Sequence, residues 1–176
     1  MPVAEFNENL WAPWRMEYIR SLDEERHVDG TCFLCAYAAD PQTDAAHHVL
    51  WRGESAFVMM NRFPYTNGHL MIAPLRHVGD PADLTPAEIG EMATLVYQGV
   101  AVLRKALHAE GFNVGANLGR CAGAGLPDHI HHHVVARWSA DTNYMAVLGG
   151  IRVIPDGLDA TYADLVRVAT EMGLRK

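Results

Sequence analysis

The residues with the most evident chemical potential in this chain are four histidines inside one seven-residue stretch, His129-Ile130-His131-His132-His133-Val134-Val135. In an extended strand alternate side chains share a face, about 6.5–7 Å apart. Alternation therefore puts His129, His131 and His133 on one face and Ile130, His132 and Val134 on the other. Three imidazoles in a row suit either metal ligation or chemistry near neutral pH. An imidazole can attack phosphorus and form a covalent phosphoramidate, dividing one hard displacement into two easier ones. Such a step needs donors around the phosphate. The segment before the histidines, Asn117-Leu118-Gly119-Arg120-Cys121-Ala122-Gly123-Ala124-Gly125, is rich in glycine, which lets backbone N–H groups approach an anion. On pattern alone, phosphorus chemistry and a metal-binding or merely exposed strand both remain open. A second group is Cys32-x-x-Cys35, spaced as half of a structural zinc site, with two unpaired thiols as the alternative. The acidic residues show no paired-carboxylate spacing, so general acid–base catalysis by Asp or Glu is not expected.

The elements that must position these groups can be read from periodicity. Cys32–Cys35 leads into a short helix that stops near Pro41. Residues 48–52 and 55–60 read as strands around Arg52-Gly53-Glu54. Residues 69–73 form a third strand after the turn Pro64-Tyr65-Thr66-Asn67-Gly68. The best helix spans about 86–110. Thr85 and Glu88 make a capping box, Pro86 suits the first turn and Gly111 is the expected stop. Ile89, Met92, Val96, Val100, Leu103 and Leu107 should form its buried face. Residues 112–117 read as a strand, 118–128 as a loop and 129–138 as a strong strand. Residues 151–154 suit one more strand, and a helix is expected over about 160–172. The fold class is α+β, with an antiparallel sheet of about five strands, one long helix and a C-terminal helix.

Bulk properties narrow the function. The chain has 176 residues, enough for one domain, with 49% apolar and 20% charged residues. A formal charge of -7 argues against a phosphate-neutralising surface for long nucleic acids, while leaving a small anionic ligand open. No apolar run approaches a membrane span, and residues 1–20 lack the apolar core of a secretory signal. Three cysteines, an odd number, argue against a disulfide scaffold and for a cytoplasmic location.

His129-x-His131-x-His133-Val134-Val135 resembles the signature of the histidine-triad superfamily. Asn61-Arg62-Phe63-Pro64-Tyr65-Thr66-Asn67-Gly68-His69-Leu70 is similar to that family's nucleotide-binding strand and turn. The resemblance covers about residues 30–138, within a single domain spanning 1–176 whose terminal extensions pack on the core. Leu10-Trp11-Ala12-Pro13-Trp14-Arg15 and Arg137-Trp138 with Asp141, Asn143, Tyr144 and Met145 resemble, more narrowly, a bacterial branch of diadenosine tetraphosphate phosphorylases and hydrolases.

The resemblance implies a histidine-triad fold and a nucleotidyl transferase or hydrolase acting on dinucleoside polyphosphates. His131 would attack the α-phosphate, and His133 would hydrogen-bond the phosphate or the leaving-group side. Asn61 would contact the ribose and His69 would sit near the α-phosphate. Asn117, Gly119, Gly123 and Gly125 would hold the polyphosphate. Water or inorganic phosphate would take the nucleotide in the second step, with no catalytic metal required at the phosphorus. The resemblance also implies a structural zinc ion (Zn2+) held by Cys32, Cys35, His77 and His129, with His47 and His48 as rival ligands, and a homodimer. Two positions depart from the family pattern. His132 stands where an uncharged residue is usual and is expected to be buried and hydrogen-bonded. Ala136 stands where Pro is common. Cys121 reads as a loop residue. Trp11, Trp14, Tyr18, Trp138 and Tyr144 suit packing better than base stacking. The competing readings are a zinc-stabilised nucleotide-binding module with little turnover and a metal-storage or sensor protein.

Overall fold

The structure, a computed structural model, describes residues 32–139, 141 and 156–175. The expectations for Trp11, Trp14, Tyr18, Asn143, Tyr144, Met145 and the strand at 151–154 lie outside the described residues.

Five strands form one antiparallel sheet: β1 (Val49–Arg52), β2 (Ala56–Met60), β3 (Leu70–Pro74), β4 (Gly111–Ala116) and β5 (His132–Arg137). A short turn joins β1 to β2 and a loop over residues 61–69 joins β2 to β3, so those three lie side by side. A long helix, α2 (Pro86–Leu107), then carries the chain past the sheet to its far edge, where β4 begins. β5 fills the gap between β3 and β4, giving the order β1-β2-β3-β5-β4. The histidine strand is thus held by ladders on both sides. His133 is opposite Met71 of β3 and Gly115 of β4. The short helix α1 (Phe33–Ala39) precedes the sheet and α3 (Leu158–Glu171) follows it. None of the described helices is long and apolar enough to cross a membrane.

Alternation divides the strands between two apolar clusters. Val58, Met60, Leu70, Ile72, Val134 and Ala136 pack with Met92, Leu95, Val102 and Leu103 of α2 and Leu165 and Val168 of α3. Phe57, Met59, Met71 and Ala73 face the other way and pack with Leu34 of α1. β2 and β3 are buried along their whole length because both faces are covered. His133, opposite Met71, belongs to the second face. His132, opposite Ile72, belongs to the α2 side.

The start of α2 follows its sequence. Glu88 N–H donates to Thr85 Oγ1, Thr85 N–H donates to the Glu88 carboxylate, and Pro86 occupies the first turn. Its buried stripe is rotated from the expected one. Met92, Leu95, Val96, Gly99, Val102 and Leu103 are buried, while Ile89 is half exposed. Gly99 explains much of the rotation: a Cβ there would lie 3.1 Å from Leu70 Cδ1, so the helix meets β3 along a glycine-bearing face. The helix ends at Leu107 with His108 left-handed (φ 52°), before Gly111. The β4–β5 ladder begins at the Gly111–Arg137 pair, so Gly111 serves as the first strand residue instead of the stop. Regular β5 also begins at His132 and not at His129. The preceding residues turn toward the segment after β3, where Ile130 N–H donates to Val78 O at 2.7 Å.

Candidate active site and metal site

The site is assembled at the entry to β5. His131 is buried, and its Nδ1 lies 2.8 Å from the His129 carbonyl. A carbonyl only accepts, so Nδ1 carries the proton and Nε2 keeps its lone pair. Burial lowers the His131 pKa below the ordinary histidine value, against the opposing hydrogen bond to His129 O. At neutral pH the ring is therefore an uncharged imidazole with a nucleophilic Nε2.

His133 is fixed by a different string. Tyr65 N–H donates to His69 Nδ1 at 3.2 Å. His69 Nε2 must then carry the proton, and it donates to His133 Nδ1 at 2.9 Å. His133 Nε2 is left as an N–H donor. The register explains the contact, because His69 precedes by two residues the Met71 that pairs with His133. Burial, then the neighbouring His131 and His132, push the His133 pKa down to about 4. The His131 and His133 rings meet edge-on with centroids 4.9 Å apart. One ring thus offers a lone pair and its neighbour offers a proton donor.

The loop between β2 and β3 holds this string. Its base is the Asn61 N–H bond to His69 O at 2.8 Å. The Asn61 side chain is engaged within the loop: Oδ1 accepts from Phe63 N–H at 2.9 Å, and Nδ2 lies 3.4 Å from His69 Nδ1. His69 is fully buried and reaches the site through His133. Tyr65, which carried no role in the sequence, covers the pair, with its ring centroid 4.5 Å from His69 and 5.9 Å from His133. Only its place four residues before His69 hinted at this.

The glycine-rich loop lies on the other side. Ala116 pairs with His132, so Asn117 leaves the ladder beside His131. Gly119 and Gly123 take left-handed φ values of 80° and 85° around the turn Arg120–Ala122. The Gly123 amide donates to Arg120 O, closing that turn, so it is not among the donors open to an anion. A cleft of about 610 Å³ opens between Gly79–Pro81 and the loop residues Leu118, Gly119, Arg120, Pro127 and Asp128. Gly125 is exposed, and Cys121 is an exposed thiol in this loop.

The metal-ligating group converges as expected from the resemblance. One ligand atom from each of Cys32, Cys35, His77 and His129 lies within 4.8 Å of the others. His129 Nε2 donates to Pro74 O at 2.9 Å, which leaves Nδ1 unprotonated and facing Cys32 Sγ at 3.1 Å and Cys35 Sγ at 3.5 Å. His77 Nδ1 lies 3.2 Å from Cys35 Sγ. Metal–ligand bonds of about 2.0–2.3 Å in a tetrahedron would separate the ligand atoms by roughly 3.3–3.8 Å, close to what is found. Burial, with Cys32 beside it, raises the Cys35 thiol to about 11. These four residues could hold a metal ion. The rivals are elsewhere: His47 stacks on Tyr37 at 3.9 Å, and His48 Nε2 pairs with Asp159 at 2.9 Å.

His132 is half buried, and its Nδ1 has no hydrogen-bond partner among the described residues, unlike the bonded core histidine expected. Its place on the α2 face agrees with alternation. Trp138 Nε1 donates to Leu107 O at 3.2 Å, and the ring packs on the main core, so packing accounts for it.

Residues 42–140 match the HIT domain family. The chain belongs to the HIT-domain family. It is 36% identical over 156 residues to the AP-4-A phosphorylase of Mycobacterium tuberculosis, covering 88% of this chain and 80% of that one. It is 33% identical to the asymmetrical bis(5'-nucleosyl)-tetraphosphatase of Schizosaccharomyces pombe, over 53% of this chain and 50% of the relative. A crystal structure of a zinc-bound histidine triad family protein from Mycobacterium smegmatis superposes with a TM-score of 0.67 and 26% identity, covering 81% of this chain and 96% of that one. The NitFhit protein of Caenorhabditis elegans superposes at 0.57 and 25%, over 71% of this chain and 27% of that one. The five-stranded antiparallel sheet with its helices is the architecture shared with these HIT proteins.

Proposed function

We propose that this HIT-domain protein cleaves dinucleoside polyphosphates at the α-phosphate through a nucleotidyl-His131 intermediate. The observation that carries the reading is the opposite polarity of two adjacent rings, a lone pair on His131 Nε2 and an N–H on His133 Nε2. His131 Nε2 forms the new N–P bond as the bond from phosphorus to the polyphosphate oxygen breaks. The departing oxygen takes the electron pair, and the His133 Nε2–H hydrogen-bonds it. His131 Nδ1 keeps its proton against the His129 carbonyl, so the substituted ring retains positive charge and leaves readily in the second step. Inorganic phosphate or water then takes the nucleotidyl group. Asn117 and the amides of Gly119 and Gly125 are assigned to the polyphosphate, with the cleft beside Gly119 and Arg120 as its outer extent. The Asn61 side chain, engaged by its own loop, reaches the ribose only by exchanging one of those bonds. No catalytic metal enters at the phosphorus.

Zinc is the metal proposed for Cys32, Cys35, His77 and His129, where mixed S and N ligands suit it. Bound there it would supply a fixed anchor, tying the start of α1 to the segment that presents the His129 carbonyl to His131. A cytoplasmic location accompanies this reading, because the two thiols must stay reduced. A homodimer is proposed as well: β4 is an edge strand with Asn113, Val114 and Gly115 exposed, and pairing it with a second copy would extend the sheet.

The relatives named for phosphorolysis and for tetraphosphatase activity define the test. Diadenosine tetraphosphate is incubated with the purified chain with and without inorganic phosphate, and the products are separated. ADP plus ATP only with phosphate means phosphorolysis, and AMP plus ATP in either case means hydrolysis. Absence of product under both conditions overturns the enzymatic reading in favour of a binding module.

A further inference from the structure

His129, His131 and His133 each take their polarity from a backbone group. For His133 that group is two rings away, at Tyr65. The Tyr65 amide cannot accept, so its bond to His69 Nδ1 sets the direction of each later bond in the string. The same residue places its ring over both imidazoles, tilted by 35° to His69 and 36° to His133. The loop is clamped just beyond it. Thr66 Oγ1 donates to Ala136 O at 2.9 Å, and Thr161 Oγ1 of α3 donates to Asn67 Oδ1 at 2.9 Å. Tyr65 therefore sits on a loop tied to β5 and to α3, with its ring against the working pair.

We infer that Tyr65 is a positioning residue, whose amide and ring together hold His69 and His133 in the tautomer that presents the His133 Nε2–H. The inference rests on the proposed role of His133 at the leaving group. Two physical effects combine. The amide supplies direction. The ring keeps water from offering His69 or His133 an alternative partner, which would let the string reverse or take up a proton. Among the described residues, the titratable groups facing His133 are His131 before β5, His132 beside it in the strand, His69 before β3 and Tyr65 itself. Its cross-strand partners Met71 and Gly115 carry none. Loss of the ring therefore acts on His133 first through solvation. The low pKa of His133, caused first by burial, agrees with this.

The test uses the full chain labelled with 15N-histidine. Ring nitrogen shifts are followed between about pH 4 and pH 8 in wild type, Tyr65→Phe, Tyr65→Ala and Tyr65→Gln, the last keeping the reach of the side chain without its ring. In wild type and Tyr65→Phe, His133 shows a protonated Nε2 and an unprotonated Nδ1 until it titrates well below the usual histidine range. Tyr65→Ala and Tyr65→Gln show averaged ring shifts and a His133 midpoint raised by about one pH unit or more. Their kcat for dinucleotide cleavage falls about tenfold with KM little changed. Phe63→Ala, in the same loop, leaves the His133 shifts unaltered. Wild-type nitrogen patterns and midpoints in both Tyr65→Ala and Tyr65→Gln would overturn the inference, as would their loss in Tyr65→Phe. The shifts are read without substrate, so they decide the role of Tyr65 even if the protein cleaves no dinucleotide.

Discussion

At the scale of single residues, the proposed chemistry depends on which nitrogen of each ring holds a proton. His131 is held neutral by burial, and His133 is pushed down to about 4. In the proposed chemistry both act in their uncharged forms. Cleavage should therefore persist as pH passes below about 6.5, where an ordinary histidine would be half protonated, and fall away only as pH drops through the lowered values. A kcat profile with its acid limb near 6.5 or above would contradict this. The same shifts affect stability. The unfolded rings bind protons from about pH 6.5 downward and the folded His133 does not, so stability should decline as pH falls from about 6.5 toward 4. Denaturant midpoints across that range measure it. The placing of His131 with His133, and of His132 on the opposite face, was legible in the sequence because residue type, spacing and strand alternation all act locally, whereas their separate roles came only through likeness to a family. The tautomers were not, since they depend on the carbonyl of His129 and the amide of Tyr65, and main-chain groups have no sequence signature. The burial of His69 was hidden because it depends on the β2–β3 loop bringing the Tyr65 ring against it.

At the scale of elements, the site requires β5 to lie between β3 and β4 and the β2–β3 loop to fold back over it. Gly68 ends that loop with φ 71°, and a Cβ there would lie 2.5 Å from Leu107 Cδ1 and 2.8 Å from Leu103 Cδ2. Gly68→Ala combines left-handed strain of roughly 1–2 kcal/mol with displacement of two side chains of α2. It should lower unfolding free energy by about 2 kcal/mol and reduce kcat through the adjacent His69. Urea unfolding with initial rates checks both, and unchanged stability would remove Gly68 from this role. The strands and the capped start of α2 were readable, because capping and alternation are short-range. The buried face and end of α2 were not. Gly99 against Leu70 and the entry of Gly111 into the β4 ladder are tertiary events that override periodicity.

At the scale of the whole molecule, Cys32 and Cys35 at the start of α1 meet His77 after β3 and His129 before β5. These residues are up to 97 positions apart, and spacing within the sequence could offer only the Cys-x-x-Cys half. The other half came through likeness to a family. Purified protein should contain about one zinc per chain, and Cys35→Ala or a strong chelator should remove it. The apparent Tm should fall, since metal binding to the folded site contributes to folding free energy. Elemental analysis with thermal unfolding checks this, and a chelated protein with an unshifted Tm would contradict a structural role for the metal.

The proposed chemistry turns on a covalent nucleotide carried by His131. Wild-type protein mixed with diadenosine tetraphosphate, quenched within milliseconds and digested, is examined by mass spectrometry under conditions that preserve phosphoramidates. A nucleotidyl adduct is expected on His131 alone, absent from His131→Ala, with cleavage in that variant reduced by about a thousandfold or more. Product formation without any adduct, together with full activity of His131→Ala, would contradict it.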